Sequence, residues 1–358
     1  MRSNIFKDKI ILVTGGAGSI GRELINQLLK FDPKVVRALD NNETGLFYLE
    51  QSYGTEHFRP FVGDIRDSER LNLALEDVDF VFHAAALKHV PLCENNPFEA
   101  IKTNSLGTQN LIQAARTHNV KKFITISTDK AINPTNVMGA TKLLAERLTI
   151  AANLYIGYRD ISFSVVRFGN VLGSRGSVIP LFIRQIREGG PVTVTDPKMT
   201  RFIMKTEDAV KLVLEAASIS KGGEIFVLEM PVVHLNDFVE QIIEEFAPKF
   251  GYSPDDIKIK EIGKRAGEKD YEELLSSYEF ETSYVYKKGD LYILIPKNSD
   301  YYPQVLCDYY EKLGANQESD YNSNLFSSAD VEILPKSQIK NLVHEMSEKF
   351  LEPRFFID

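Results

Sequence analysis

KIILVTGGAGSIGRELINQLLKF (Lys9–Phe31) governs how the rest of the chain is read. It opens with a short apolar run closed by glycine, the pattern of a strand buried on both faces. Gly15, Gly18 and Gly21 follow, with two residues between each pair. Ile20, Leu24, Ile25 and Leu28 then fall on one face of a helix. Strand, glycine turn and helix start, in that order, make a cradle for a pyrophosphate. Glycine lets the backbone come close, and the helix presents free N–H groups and its positive dipole end. A second strand, KVVRALD (34–40), ends on an acid. Together these features predict a dinucleotide site with Gly15, Gly18, Ser19, Ile20 and Gly21 at the phosphates. Asp40 would accept hydrogen bonds from the adenosine ribose and repel a 2′-phosphate. The next residues, NNET, offer no Arg or Lys, and Arg37 lies inside the strand, so NAD is favoured over NADP.

Working outward, FRPFVGD (58–64), DFVFHAAA (79–86), KKFITIST (121–128) and ISFSVVRFG (161–169) read as further strands separated by helical segments. This alternation predicts an α/β fold, a Rossmann-like doubly wound parallel sheet with a smaller α+β substrate-binding C-terminal region. The expected division is an NAD-binding domain over 1–168 with returning segments near 201–236. A smaller substrate-binding region over 169–200 and 237–315 follows, then a tail over 316–358 with a final helix. TSYVYKKGDLYILIP (282–296) reads as a hairpin turning at KKGD.

In such sheets, ligands bind beyond the carboxyl ends of the strands. Asp64 and Ile65 end the third strand, where the adenine should lie. Ala84, Ala85 and Ala86 end the fourth, small enough for a cofactor to lie close. His83 faces the strand's inner side and is expected to be structural. Thr128, Asp129 and Lys130 end the fifth strand, three polar groups at a catalytic location, with Met138 and Lys142 one turn apart on the helix that follows. The spacing of Met138 and Lys142 is that of Tyr and Lys in short-chain oxidoreductases, with Met where the Tyr proton donor would stand.

The bulk numbers narrow the class. A formal net charge of −8 argues against a sequence-independent nucleic-acid binder. The two cysteines, Cys93 and Cys307, form neither a disulfide framework nor a metal-ligand spacing, so no metal is expected. The first residues are too short an apolar run for a signal peptide, and no window approaches the ~20 apolar residues of a membrane span. The expectation is a soluble cytoplasmic protein.

TGGAGSIG (14–21), HAAALKHVPLCENNPFEAIKTNSLGTQN (83–110), STDKAINPTNVMGATK (127–142), RFGNVLGSRGSVIPLF (167–182) and DPKMTRF (196–202) together resemble the UDP-N-acetylglucosamine 4,6-dehydratases. These are extended short-chain dehydrogenase/reductases that serve surface-glycan synthesis. The resemblance covers about residues 8–280, with a looser match beyond. It implies a redox-neutral elimination: oxidation at sugar C4, loss of water across C5 and C6, and reduction at C6. It further implies that Asp129 is the acid at the C6 hydroxyl, Lys130 the base at C5, and that Lys142 holds the nicotinamide ribose. Branches of the family carry Met at the position of Met138, which leaves the C4 hydroxyl proton to another group, for which Thr128 is the candidate. Asn104, in the second matched stretch, is counted with the cofactor residues. The substrate UDP-N-acetylglucosamine is expected to meet Lys88, Asn170, Arg175, Ser177, Val178 and Arg201. In KRAGEK (264–269), Arg265 is expected at the diphosphate and Glu268 at the nucleotide ribose. By analogy with the fold, the helices at 97–118 and 137–156 pair in a homo-oligomer. Two rivals stand beside this reading, a UDP-sugar 4-epimerase and a non-catalytic dinucleotide-binding protein.

Overall fold

The structure, a computed structural model, describes residues 4–174, 176–297 and 303–351. Arg175 and the end of the tail beyond 351 lie outside the described residues. In chain order the strands are β1 (Ile10–Thr14), β2 (Val35–Asp40), β3 (Phe58–Val62), β4 (Phe80–His83), β5 (Lys122–Thr128), β6 (Ser162–Phe168), β7 (Asn170–Leu172) and β8 (Val192–Val194). They continue with β9 (Thr200–Lys205), β10 (Ile225–Leu228), β11 (Val232–His234), β12 (Ile259–Glu261), β13 (Ser283–Lys288), β14 (Leu291–Pro296) and β15 (Asn316–Gln317).

The chain forms two compact units. The first comprises Met1–Phe168, Glu207–Glu229 and Leu274–Tyr321. Its ten-stranded sheet runs β15-β13-β14-β10-β6-β5-β4-β1-β2-β3. From β10 to β3 the neighbours are parallel, with helices as the crossovers. Every residue of β1, β4, β6 and β10 is buried, as a parallel sheet covered on both faces demands. The edge strand β3 exposes polar Arg59 and mixes buried with open positions. This is the Rossmann-like doubly wound fold, extended by an antiparallel hairpin. β13 and β14 pair in register from Ser283↔Pro296 to Lys288↔Leu291, leaving Gly289 and Asp290 as a two-residue turn. Gly289 has φ +57°, the left-handed conformation such a turn requires.

The second unit comprises Gly169–Thr206, Met230–Glu273 and Asn322–Asp358. It holds a three-stranded sheet, β11-β9-β7, and the pair β12-β8. Its core gathers Phe182, Ile183 and Ile186 from the Val178–Arg187 helix with Phe238, Ile242 and Phe246 from the Leu235–Phe246 helix. Ile339, Val343 and Met346 of the Lys336–Leu351 helix join them.

The division of the chain differs from the expected one at two places. Leu274–Tyr321 belongs to the first unit, because β14 hydrogen-bonds to β10 and carries the hairpin onto the large sheet. The segment beyond Asn322 belongs to the second unit, where its helix supplies core residues. The helix expected over 97–118 is also interrupted. Ile101–Gly107 is a π-turn between Pro97–Ala100 and Thr108–Thr117. It buries Asn104, Ser105 and Gly107, and a Cβ at Gly107 would stand 2.7 Å from Ile65. Wide turns of this kind re-aim side chains that a regular helix would direct elsewhere.

Candidate active site

The glycine turn is built by close approach. Gly15 has φ +67°, and a Cβ there would lie 2.7 Å from the Ala85 nitrogen. At Gly21 a Cβ would lie 2.1 Å from the Gly15 carbonyl, so only glycine lets the Ser19–Leu28 helix seat against the turn. At Gly18 a Cβ would lie 3.1 Å from the Gly15 carbonyl, a tight contact that glycine avoids. No side chain caps this helix. Asp40 Oδ2 accepts from Ala17 N at 2.9 Å and Oδ1 from Asn42 N at 2.9 Å, which ties the end of β2 to the turn. Each carboxylate oxygen keeps a second lone pair.

Other expected cofactor residues have protein partners. Asp64 is held by Arg66, through the backbone N–H at 2.9 Å and the guanidinium at 2.6 Å, and this holds its carboxyl below the usual range. Arg66 also reaches Glu99 at 2.7 Å. The Ile65 side chain is buried in the core with Leu71 and Leu111. Ala84, Ala85 and Ala86 are half-buried at the end of β4. Asn104 accepts from Leu87 N at 2.8 Å and donates to Leu87 O and Thr141 Oγ1 at 3.0 Å each. Its amide thus joins the loop after β4 to the Val137–Ala151 helix.

His83 is fully enclosed. Nδ1 lies 2.8 Å from Thr14 Oγ1, and Nε2 lies 2.9 Å from Thr108 Oγ1. The Thr108 hydroxyl already donates to Asn104 O at 2.7 Å, so Nε2 must carry the hydrogen and Nδ1 accepts from Thr14. Burial, with Lys142 adding to it, pulls the imidazole down to about 3, so it is neutral.

The Thr128–Lys130 segment is compact. Thr128 Oγ1 donates to Asp129 Oδ1 at 2.8 Å, and Lys130 Nζ donates to the same oxygen at 3.0 Å. Asp129 is fully buried, and its Oδ2 makes no hydrogen bond among the described residues. The Val137–Ala151 helix is capped by Asn136 and lies directly on this turn. A Cβ at Gly139 would stand 2.2 Å from the Lys130 carbonyl. Lys142 is buried and donates to Ile126 O at 2.5 Å. Burial pulls its ammonium down to about 8, with Glu146 acting in the opposite sense. Met138 turns away into a small apolar cluster with Cys93 and Ala100, flanked by Val90 and Val137.

Lys88 and His89 are exposed on the loop that follows β4. In the second unit Asn170 opens β7, Ser177 precedes the Val178–Arg187 helix, and Val178 is exposed. The Ser177 hydroxyl is buried without a partner among the described residues. Arg201, on β9, donates to the carbonyls of Thr200 at 2.8 Å, Asp270 at 3.1 Å and Lys269 at 3.0 Å. It also lies 3.6 Å from Glu268. Glu268 accepts from Thr195 Oγ1 at 3.1 Å and from the Arg265 backbone N–H at 3.2 Å. Arg201 and Glu268 therefore organise the 264–270 loop, and Arg265 stands exposed on it.

Sequence reasoning missed a buried ion cluster. Arg167 donates to Glu146 through Nε at 3.1 Å and Nη2 at 2.7 Å, and to Glu279 at 3.0 and 3.2 Å. The available signal was a lone Arg in an apolar strand, which demands a buried partner. The four-residue step from Lys142 to Glu146 was legible too; Glu279, more than a hundred residues on, was not.

The parallel sheet, the glycine turn at its first crossover and the polar cluster at the end of β5 define a dinucleotide-binding α/β protein of the extended short-chain dehydrogenase/reductase class. The chain belongs to the family described as polysaccharide biosynthesis protein, whose profile matches residues 11–293. It is 57% identical to an uncharacterized membrane protein of Methanocaldococcus jannaschii, over 96% of this chain and 98% of that protein. Among the described residues, no helix is long and apolar enough to cross a membrane. A UDP-N-acetylglucosamine 4,6-dehydratase (inverting) of Campylobacter jejuni is 40% identical over 91% of this chain and 97% of its own. A UDP-glucose 4-epimerase of Rickettsia akari is 42% identical over 76% of this chain and 79% of its own. The X-ray structure of Pen from Bacillus thuringiensis superposes with a TM-score of 0.87 at 41% identity, covering 97% of this chain and all of that one. The chain is thus a nucleotide-sugar enzyme of the dehydratase and epimerase group.

Proposed function

We propose that the protein is an NAD-dependent UDP-N-acetylglucosamine 4,6-dehydratase, a hydro-lyase of the cytoplasm that makes a UDP-4-keto-6-deoxy-N-acetylhexosamine for surface glycans. The observation that carries this reading is the Asp129–Lys130 pair at the carboxyl end of β5, with Asp129 buried and one of its oxygens unpartnered. An epimerase needs no second acid and base. A dehydratase needs both, one on each side of the C5–C6 bond.

The glycine turn fits a dinucleotide: Gly15 and Gly21 leave no room for a Cβ, the helix start has no side-chain cap, and Asp40 has lone pairs to spare for a ribose. Gly15, Gly18, Ser19, Ile20, Gly21 and Asp40 would hold the cofactor, with Asp64, Ile65 and Ala84–Ala86 around its adenosine and phosphates and Lys142 at the nicotinamide ribose. Bound there, NAD would take hydride from sugar C4 and return it to C6. Asn104 supports this site through Leu87 and Thr141.

The protein's part is proton management. Lys130 and Asp129 share one proton across a 3.0 Å contact. Moving it onto Asp129 yields an amine and a carboxylic acid together, the base for C5–H and the acid for the C6 hydroxyl. Over a full cycle, the proton released from the C4 hydroxyl replaces the one that departs with C6 oxygen as water. Thr128, bonded to Asp129, is the residue we assign to carry it. Met138, packed among Cys93 and Ala100, takes no part in proton transfer. Lys88, Asn170, Arg175, Ser177, Val178 and Arg265 are assigned to the UDP-sugar, with Arg201 and Glu268 shaping the loop that presents Arg265. Leu92, Phe98, Ile101 and Leu144, exposed on helices of the first unit, are assigned to a homo-oligomer interface.

Incubation with UDP-N-acetylglucosamine in deuterated water, followed by proton NMR, tests the reading. A new C6 methyl signal is expected, and Asp129→Asn and Lys130→Ala should each abolish it. Conversion to UDP-N-acetylgalactosamine would establish the epimerase instead, a reading favoured by the similar Rickettsia protein. No change at all would leave a dinucleotide-binding protein without this chemistry.

A further inference from the structure

The Arg167 cluster lies under the helix that carries Lys142. On that helix Lys142 and Glu146 are four residues apart and both are buried, so they share the face turned to the sheet. Thr149, the next residue on this face, lies 2.7 Å from Thr125 on β5. Glu146 is gripped at both oxygens by one guanidinium, the forked geometry that fixes a carboxylate most firmly. Arg167 is in turn held by Glu279 and by the Leu274 carbonyl at 3.1 Å. Glu279 completes a capping box with Ser276, so it cannot swing away without uncapping its own helix. Arg167 is the last residue but one of the first unit's leading segment, and Leu274 is the first of its closing segment. One cation therefore pins the helix of Lys142, strand β6 and the point where the chain re-enters this unit.

We propose that Glu146, clamped by Arg167, is a positioning residue for Lys142, keeping its ammonium charged and aimed at the end of β5. The proposal rests on the reading of Lys142 as the cofactor's lysine. Among the buried groups two carboxylates face one guanidinium, and Arg147 meets Glu279 only at 4.0 Å from an exposed position where solvent screens it, so the buried cluster carries a surplus negative charge beneath Lys142. Burial alone works against the Lys142 ammonium, and Glu146 is the neighbour that counters it. The other charged or titratable groups around this face do not take over the task. His83 is neutral. Asp129 and Lys130 compensate one another. Arg167 would repel the ammonium were it not outnumbered by Glu146 and Glu279. Ser127, in register with Arg167 on β5, contributes only a hydroxyl without a partner among the described residues.

The test is the titration of Lys142 in the full-length protein, followed by NMR of lysine labelled with carbon-13 at Cε and assigned by comparison with Lys142→Arg. In Glu146→Gln the midpoint should fall by at least about one pH unit, the scale on which a single nearby charge acts. Glu146→Asp should restore most of it. Dinucleotide binding by Glu146→Gln, measured by calorimetry, should weaken about tenfold at neutral pH and recover in Glu146→Asp. If Glu146→Gln does not fold, Glu146→Gln/Arg167→Met removes the pair together and should lower the midpoint in the same direction. A folded variant in which the Lys142 midpoint stays within about 0.3 unit overturns the proposal. The titration does not depend on turnover, so a shifted midpoint in a protein that forms no C6 methyl product would sink the dehydratase reading alone.

Discussion

Thr128 and His83 lie on neighbouring strands and illustrate two uses of a polar group in the sheet. The Thr128 hydroxyl bonds to the Asp129 carboxylate and is the group proposed to take the sugar's C4 proton. Thr128→Val keeps the shape and removes the hydroxyl. Mixed with UDP-N-acetylglucosamine, this variant should show at least a hundredfold slower appearance of reduced nicotinamide absorbance, with Asp129 still in place. Normal accumulation would remove Thr128 from the mechanism. His83 serves the frame instead, as a neutral link between Thr14 and Thr108. Its folded value of about 3 lies below the unfolded value near 6.5. Between those values the unfolded chain binds a proton that the folded chain refuses, so stability falls as pH drops below about 6.5. The contribution is about 1.4 kcal/mol per pH unit. Urea unfolding across pH 4 to 7 should therefore show a shallower dependence in His83→Gln than in the parent; equal slopes would mean that the imidazole titrates normally.

Among the elements, the Val137–Ala151 helix matters most, because it meets the Thr128–Lys130 turn without a spacer. Gly139 permits that contact, with room for no Cβ before the Lys130 carbonyl. Gly139→Ala must push the helix or the turn aside, and overpacking of this kind typically costs about 1–3 kcal/mol. The larger effect is expected on turnover, at least tenfold in kcat, because the displaced groups are Lys130 and its pair with Asp129. Denaturant unfolding and steady-state assays measure the two effects separately, and unchanged kcat would show that the turn tolerates the shift. The π-turn at Ile101–Gly107 acts on the other side of the same helix, where Asn104 bonds to Thr141. A run of residues that reads as one regular helix gives no local sign of such a turn, which brings Gly107 up against Ile65, far off in sequence.

For the molecule as a whole, the exposed apolar residues of the first unit call for a partner. Phe98 is 76% exposed and Leu92 61%, large apolar side chains on neighbouring short helices. Sedimentation velocity should find a dimer or larger assembly, and Phe98→Glu should shift it to monomer with its circular dichroism unchanged. A parent that sediments as a monomer at tens of micromolar would dismiss the interface. The two units also divide the polar residues. The first holds the glycine turn, Asp40, Asp129, Lys130 and Lys142, and the second holds Arg201, Arg265 and Glu268.

The local features were legible from the sequence. The glycine turn, the acid ending β2, the Thr128–Lys130 cluster and the KKGD hairpin each depend on residues a few positions apart, where backbone geometry is set by the residue types themselves. The tertiary structure decided what depends on distant partners. It placed β13 and β14 on the large sheet through β10, since a hairpin's pattern does not say which edge it will pair with. It joined Arg167 to Glu146 and Glu279, and it bound Arg201 to the 264–270 loop and Glu268 of that loop to Thr195. A buried charge must find a counter-charge, and the sequence shows the requirement, but only the folded chain shows which acid meets it.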